Sequence, residues 1–211
     1  MNMANQVPTR IANILINALK GGVVPRVGLE YITVGRTQEI AAILHDIEMI
    51  ENKSASFRFI VGKYGSGKSF LLQTIRNYAT AKGFVVVDAD LSPERRFAGT
   101  KGQGLATYKE LIQNMSTKSK PDGGALPLIL EKWISNIQAT VKAGSNVSEN
   151  EFSDLVERQI YAVASSLEGM VNGFEFAKAV VIYWKAYRQD DTAMKSNVLK
   201  WFRGEYTSKK E

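Results

Sequence analysis

Residues 62–69 read GKYGSGKS and match the pattern G-x-x-x-x-G-K-[S/T]. Such a loop wraps around the β-phosphate of a nucleotide with its backbone N–H groups pointing inward. Its glycines permit the backbone angles and the close approach that this requires. We expect Lys68 to reach the β- and γ-phosphates and Ser69 to offer its hydroxyl to Mg²⁺, while the following helix directs the positive end of its dipole at the anion. The motif therefore predicts a site for a magnesium-bound nucleoside triphosphate.

A Gly-Arg pair upstream extends the predicted nucleotide site. In P-loop ATPases of the AAA+ and STAND type, such a pair begins the helix before the P-loop strand and borders the adenine. Here the pair is Gly35-Arg36. The predicted ligands are ATP and Mg²⁺, with Ser69 as the metal ligand and no catalytic residue assigned. The predicted nucleotide-binding residues are Gly35, Arg36, Gly62, Lys63, Tyr64, Gly65, Ser66, Gly67, Lys68, Ser69 and Phe70.

The segments that flank this loop predict an α/β fold. FRFIV (57–61) is short, β-branched and aromatic, which favours a strand. GFVVVDAD (83–90) contains a continuous apolar run, which is typical of a strand buried on both faces of a parallel sheet. With a helix over 68–82 between them, they form a right-handed βαβ unit. We therefore expect an AAA+-like P-loop NTPase core with a small parallel sheet, followed by a mostly helical region.

Apolar periodicity places the remaining elements and the predicted domains. Residues 21–36 read as extended or looped chain, broken by glycines and Pro25. The predicted domains are an N-terminal helix and leader (1–36), an incomplete nucleotide-binding core (37–125) and a helical region (126–211). Further helices are predicted over 8–20, 37–51, 105–117, 126–143, 148–170, 174–189 and 192–204.

Hydrolysis by a P-loop ATPase also needs a carboxylate that orients the water shell of Mg²⁺. The candidate is Asp88 in VVVDAD, but residue 89 is Ala, so no Glu follows it. The segment also comes directly after the P-loop helix, where additional-strand P-loop ATPases place an ordinary strand. We therefore expect Asp88 to cap the strand or the next loop, and ATP hydrolysis by this chain stays open.

Composition excludes several other kinds of site. The chain has no cysteine and one histidine, so it has no disulfide framework, thiolate site or Ser-His-Asp grouping. No apolar run is long enough to span a membrane, and a cytoplasmic protein is expected. The net charge of +6 favours acidic partners. GTKGQG (99–104), which follows Arg95 and Arg96, is either a second anion-binding loop or a surface loop. The three tryptophans lie in helical patterns, where core packing is expected, and His45 is expected on a helix surface.

Four stretches carry a family resemblance. They are ALKGGVVPRVGLEYITVGR (18–36), VGKYGSGKSF (61–70), the long block 90–127 and KWFRGEY (200–206). In these stretches the chain resembles the ATP-binding P-loop proteins of bacterial BREX phage-defence systems, the BrxD-like group. The resemblance implies an AAA+-like ATPase core with Gly62, Gly65, Gly67, Lys68 and Ser69 as nucleotide and Mg²⁺ residues. It also implies that the acidic strand lies beyond the last stretch, so we expect this chain to be an N-terminal part.

The function expected from these observations is an ATP-binding module of a phage-defence ATPase. Its expected partners are nucleotide, other defence-system proteins and DNA, with self-association into an oligomer and no membrane contact. Two alternatives stay open. One is a compact P-loop kinase that uses Asp88 or Asp90. The other is a nucleotide-switched subunit that binds nucleic acid or assembles complexes, which the positive charge favours.

Overall fold

The structure, a computed structural model, describes residues 6–98, 102–144, 148–166 and 173–206. These residues form nine α-helices and divide into two compact units, Met1–Val86 and Val87–Glu211. The predicted domain boundaries after residues 36 and 125 stay predictions. The helices are α1 (Thr9–Lys20), α2 (Leu29–Ile32), α3 (Thr37–Glu51), α4 (Lys68–Ala81), α5 (Gln103–Gln113), α6 (Leu126–Gly144), α7 (Glu149–Ser165), α8 (Gly173–Arg188) and α9 (Thr192–Phe202).

The predicted α/β fold with a parallel sheet is wrong, because none of the described residues lies in a β-strand. Residues 57–61 are not helical, and the side chains of Phe57, Phe59 and Val61 are 80%, 84% and 91% exposed. The segment 83–90 is not buried on two faces either, since Val85 and Val87 are 48% and 44% exposed. Strand propensity largely measures packing against neighbouring strands. In the described chain neither segment forms a strand, although Val86 takes part in an isolated β-bridge.

The first unit has a small core between α3 and α4. Ile43 and Ile47 of α3 pack against Leu71 of α4. Ile60 and Phe84 cover this cluster, so one residue of each predicted strand is held by apolar packing rather than by a sheet. At the far end of α4, the Lys82 ammonium forms an ion pair of 2.8 Å with Glu51 at the end of α3. These contacts fix the position of α4, the helix that follows the phosphate loop.

The second unit is a helical assembly with the larger core. Helix α8 lies at its centre and contacts α6, α7 and α9. Val180 and Trp184 of α8 are fully buried, and so are Val156 and Ile160 of α7. Trp184 therefore confirms its predicted core position, whereas Trp201 is 44% exposed. The mostly helical second half predicted from periodicity is present in the described residues.

Helix ends follow local signals in several places. Ser148 accepts a hydrogen bond from the backbone amide of Glu151, and the Glu151 carboxylate accepts one from the Ser148 amide, a reciprocal capping box at the start of α7.

Helix α2 falls in a segment predicted to be loop, and His45 is exposed on α3 as predicted. Among the described residues, no helix is long and apolar enough to cross a lipid bilayer.

Candidate nucleotide-binding site

The phosphate loop leads directly into α4, whose first residue is Lys68. The loop makes a turn in which the Ser66 amide donates to the Lys63 carbonyl over 3.2 Å. Gly65 and Gly67 have φ angles of +77° and +82°, in the left-handed region that favours glycine. At Gly62 a Cβ would lie 2.5 Å from the Ser66 Oγ, a hydroxyl that could rotate away. The left-handed backbone thus gives Gly65 and Gly67 a reason to be glycine in this loop.

The Lys68 ammonium is held by the loop that precedes it. Its Nζ donates hydrogen bonds of 2.9 Å to the carbonyl oxygens of Gly62 and Lys63. A lysine ammonium has three donors, so these two bonds leave one donor available. The side chain folds back over the loop, and the positive charge stands beside the N-terminus of α4. A cation and a helix N-terminus at one place favour an anion.

Arg36 connects the upstream Gly-Arg pair to the phosphate loop. One guanidinium nitrogen donates to the Ser66 carbonyl, and the other forms an ion pair of 2.9 Å with Glu39. A hydrogen bond from its own backbone amide and the bond from Arg36 lower the pKa of the Glu39 carboxyl. Residues 30 positions apart are therefore joined by one side chain. The same guanidinium lies 3.4 Å from where a Cβ of Gly67 would stand.

A cavity of about 660 Å³ adjoins this arginine at the start of α3. Arg58 is one of its lining residues and is held by Asp46 through two nitrogens, one of them 2.9 Å from the carboxylate. This pairing lowers the pKa of the Asp46 carboxyl. The cavity has the size of sites that bind small ligands. It is lined by Gly35, Thr37, Gln38, Glu39, Ala42 and Arg58.

One comparison with known proteins places the chain in a family. The family model described as "BREX system ATP-binding protein BrxC/D" matches residues 7–211. The chain belongs to the BrxC/D family of BREX ATP-binding proteins. No curated protein and no solved structure matches it. The BREX resemblance expected from the sequence is therefore confirmed, and the family name supports ATP binding.

In this BrxC/D-family chain, the predicted nucleotide residues lie together in the first unit. Arg36, the loop and the start of α4 form one connected group through the bonds described above. Tyr64 is fully exposed and contacts nothing in the loop that would fix it, and Ser69 is exposed in the first turn of α4. Phe70 is half-buried, and its carbonyl accepts a hydrogen bond of 2.9 Å from Thr74.

The acidic candidates of this BrxC/D-family chain belong to the second unit. The Asp88 carbonyl accepts a hydrogen bond of 2.9 Å from Asn114, and the Asp90 amide donates to Glu110 over 3.3 Å. Both backbones are thus tied to α5. Among the described residues, no cluster of three His, Cys, Asp or Glu side chains could hold a metal ion. Residues 99–101 of the predicted GTKGQG loop lie outside the described residues.

The sequence did not indicate the pair of Arg58 and Asp46, of which Arg58 lines the cavity. Their bond spans 12 residues and two elements, so no local spacing indicates it. Glu39 was visible as the third residue after Arg36, which is the spacing of neighbours on one helix face. That spacing could have indicated the ion pair that orients Arg36.

Proposed function

We propose that this BrxC/D-family protein binds ATP with Mg²⁺ through the phosphate loop of its first unit. One observation carries the proposal: the Lys68 ammonium lies at the N-terminus of α4, held over a loop in which Gly65 and Gly67 have left-handed φ angles. A triphosphate meets there a lysine charge, a helix dipole and backbone N–H groups. The family membership supports the same ligand.

Nucleotide binding would exchange the partners of Lys68. Its two present acceptors are neutral carbonyls of Gly62 and Lys63. Phosphate oxygens are charged acceptors, so the Lys68 ammonium would gain an attraction between opposite charges that a neutral carbonyl does not offer. We therefore expect the β- and γ-phosphates to displace both carbonyls. The loop would open by this exchange while Gly65 and Gly67 keep their left-handed angles.

Arg36 would link the base to the phosphates. Gly35 lines the cavity beside α3, and Arg36 bonds the loop carbonyl of Ser66. An adenine in that cavity would lie against the Gly-Arg pair, with Glu39 keeping the guanidinium in place. The exposed Ser69 hydroxyl would then be a ligand of the Mg²⁺ ion bound to the β- and γ-phosphates.

We assign the first unit nucleotide binding rather than turnover. Among the described residues, the hydrogen bonds that begin at the loop reach one carboxylate, that of Glu39, and it is paired with the Arg36 guanidinium. A water-activating base would come from another part of the assembled system. We also propose that the protein works in the cytoplasm with other BREX components. DNA contact and self-association are further proposals, and the net charge of +6 supports DNA contact.

Calorimetric titration tests this function. ATP is added to the purified chain with Mg²⁺ and, separately, with excess chelator, and Ser69→Ala is compared with Ser54→Ala, an exposed serine of the same unit. The proposal predicts saturable binding at one site that Mg²⁺ strengthens, and a loss of this Mg²⁺ effect in Ser69→Ala alone. Absence of saturable ATP binding in both conditions would refute it. Equal Mg²⁺ effects in the two serine variants would remove Ser69 from the proposed metal site.

A further inference from the structure

A separate cavity of about 370 Å³ lies within the second unit, where three segments distant in sequence meet. One segment is the middle of α5, one precedes and begins α6, and one follows α9. None of the lining residues belongs to the first unit, and the proposed nucleotide site uses none of them. The lining residues are Lys109, Ile112, Gln113, Gly124, Leu126, Arg203 and Glu205.

Hydrogen bonds fix the walls of this cavity. The Gly124 amide donates to the Gln113 carbonyl over 2.8 Å, which attaches the segment before α6 to the end of α5. The Tyr108 hydroxyl donates to the Phe202 carbonyl over 2.6 Å, which attaches the end of α9 to the same helix. Gly204 has a φ of +67°, and a Cβ there would lie within 3 Å of an α5 side chain. Walls held in this way reduce the entropy lost when a ligand binds.

The cationic groups of the cavity are incompletely paired. Lys109 is half-buried and makes no hydrogen bond or ion pair with any residue in the described ranges. The Arg203 guanidinium has Glu205 at 3.7 Å, which is longer than a hydrogen bond, so its donors remain available. The amide of Gln113 can donate two more hydrogen bonds. Two positive charges against one negative charge leave the cavity with an excess of positive charge.

The floor of the cavity is apolar. Leu126 is 8% exposed, and Ile112 packs against the main core of the unit. The volume falls in the usual range of small-molecule sites, which combine apolar lining with a few polar groups. A bare inorganic anion would satisfy the cations and leave this floor uncovered. An apolar group that carries an anionic head would satisfy both surfaces.

We propose that this cavity binds a small organic anion, with a carboxylate or phosphate monoester held by Lys109 and Arg203. Its apolar body would lie on Ile112 and Leu126. Gln113 would donate to the ligand from the α5 side. Glu205 weakens the anion site by partly neutralising Arg203, so it favours ligands that carry a hydrogen-bond donor next to the charge.

Amide NMR shifts of the full chain test this proposal. The probes are phenyl phosphate and benzoate, which separate the two anion classes, and benzyl alcohol, which keeps the ring and lacks the charge. We expect saturable shifts at Gly124 and Glu205 with at least one anion and much smaller shifts with the alcohol. Because phenyl phosphate can also reach the phosphate loop, Gly65 and Gly67 report that site separately. Shifts confined to those two glycines, or equal responses to the alcohol, would overturn the proposal.

Charge variants sharpen the test. Lys109→Gln and Arg203→Gln should each weaken binding about tenfold, the loss expected for one hydrogen bond to a charged group. Lys118→Gln removes an exposed lysine outside the cavity and should change nothing. Glu205→Gln should tighten anion binding about twofold, a gain that unfolding cannot produce. If circular dichroism shows that Arg203→Gln does not fold, the test rests on the other two variants. Lys109→Gln should then weaken anion binding and Glu205→Gln should tighten it. Wild-type affinity in both of those variants would overturn the proposal.

Discussion

Replacing Arg36 by alanine removes a side chain that joins the start of α3 to the phosphate loop. Arg36 donates to the Ser66 carbonyl and pairs with Glu39, and its side chain is 33% exposed. A hydrogen bond from a charged group contributes about 1.5–3 kcal/mol when buried. At this exposure, solvent screening reduces the contribution to about 1–2 kcal/mol. The proposed binding geometry of the loop would lose that much stabilisation.

This loss should appear in the affinity for ATP. If the phosphate loop is not already held in its binding geometry, ATP must order it on binding. The affinity for ATP then falls by the free energy of that ordering. The estimate of 1–2 kcal/mol corresponds to a dissociation constant about 5–30 times larger. Arg36→Lys keeps the charge but replaces the planar fork by a point charge, so it should fall between wild type and Arg36→Ala. Glu39→Gln removes only an exposed ion pair and should weaken ATP binding no more than about fivefold.

Calorimetric titration with Mg-ATP measures these affinities directly. Arg10→Ala is the matched control, because it removes an exposed arginine of α1 in the same unit. Circular dichroism confirms that each variant keeps its helices. Wild-type ATP affinity in a folded Arg36→Ala chain would refute the reasoning, because the loop would then need no tether from α3.

Three further predictions concern stability. Ile160→Ala, at a fully buried side chain, should lower the free energy of unfolding of the second unit by about 3 kcal/mol, and Leu128→Ala, at a 41% exposed one, by less than about 1 kcal/mol. Urea unfolding followed by tryptophan fluorescence measures both, since all three tryptophans lie in that unit, and equal losses would contradict the described core. Ser148→Ala should cost about 1 kcal/mol in the same assay through loss of the α7 capping box, and an unchanged urea midpoint would argue against that cap. Arg58 lowers the pKa of Asp46, so the contribution of this pair is complete above the unfolded pKa of about 3.9 and is lost as pH falls through the lower folded value. The stability difference between wild type and Asp46→Asn should therefore shrink below about pH 4, and a constant difference from pH 7 to pH 2 would exclude this linkage.

Most of the described helices were predictable because their signals are local, whereas the short helix α2 was not predicted. α7 begins where a serine is followed by acidic residues, and there Ser148 and Glu151 form reciprocal hydrogen bonds. α3 spans Thr37–Glu51, which is the range predicted for it. In both cases the residues that decide the structure lie within one helical turn of each other.

The strands could not be predicted in this way, because a strand depends on a distant partner. Phe57, Phe59 and Val61 have the residue types and alternation of a strand, and their side chains are nonetheless exposed. Instead of joining a sheet, Ile60 packs on the apolar cluster between α3 and α4. Local propensity identified extended chain there and could not supply the neighbour that makes it a sheet.

In the candidate site, too, local features were predictable and long-range contacts were not. The spacing of Gly62, Gly65 and Gly67 indicated a phosphate loop, and Gly65 and Gly67 have the left-handed backbone that favours glycine. The bond from Arg36 to Ser66 spans 30 residues and depends on how α3 packs against α4. Contacts of that range follow from tertiary packing, which a single sequence does not specify locally.

The central claim is that Lys68 binds the phosphates of ATP, and one pair of variants tests it most directly. Lys68→Ala and Lys82→Ala each remove one lysine charge, at the two ends of α4. The measurement is the calorimetric dissociation constant for Mg-ATP, with circular dichroism as the check on folding. The account predicts that Lys68→Ala binds at least about tenfold more weakly than wild type, while Lys82→Ala binds like wild type. Equal affinities in the two variants would contradict it.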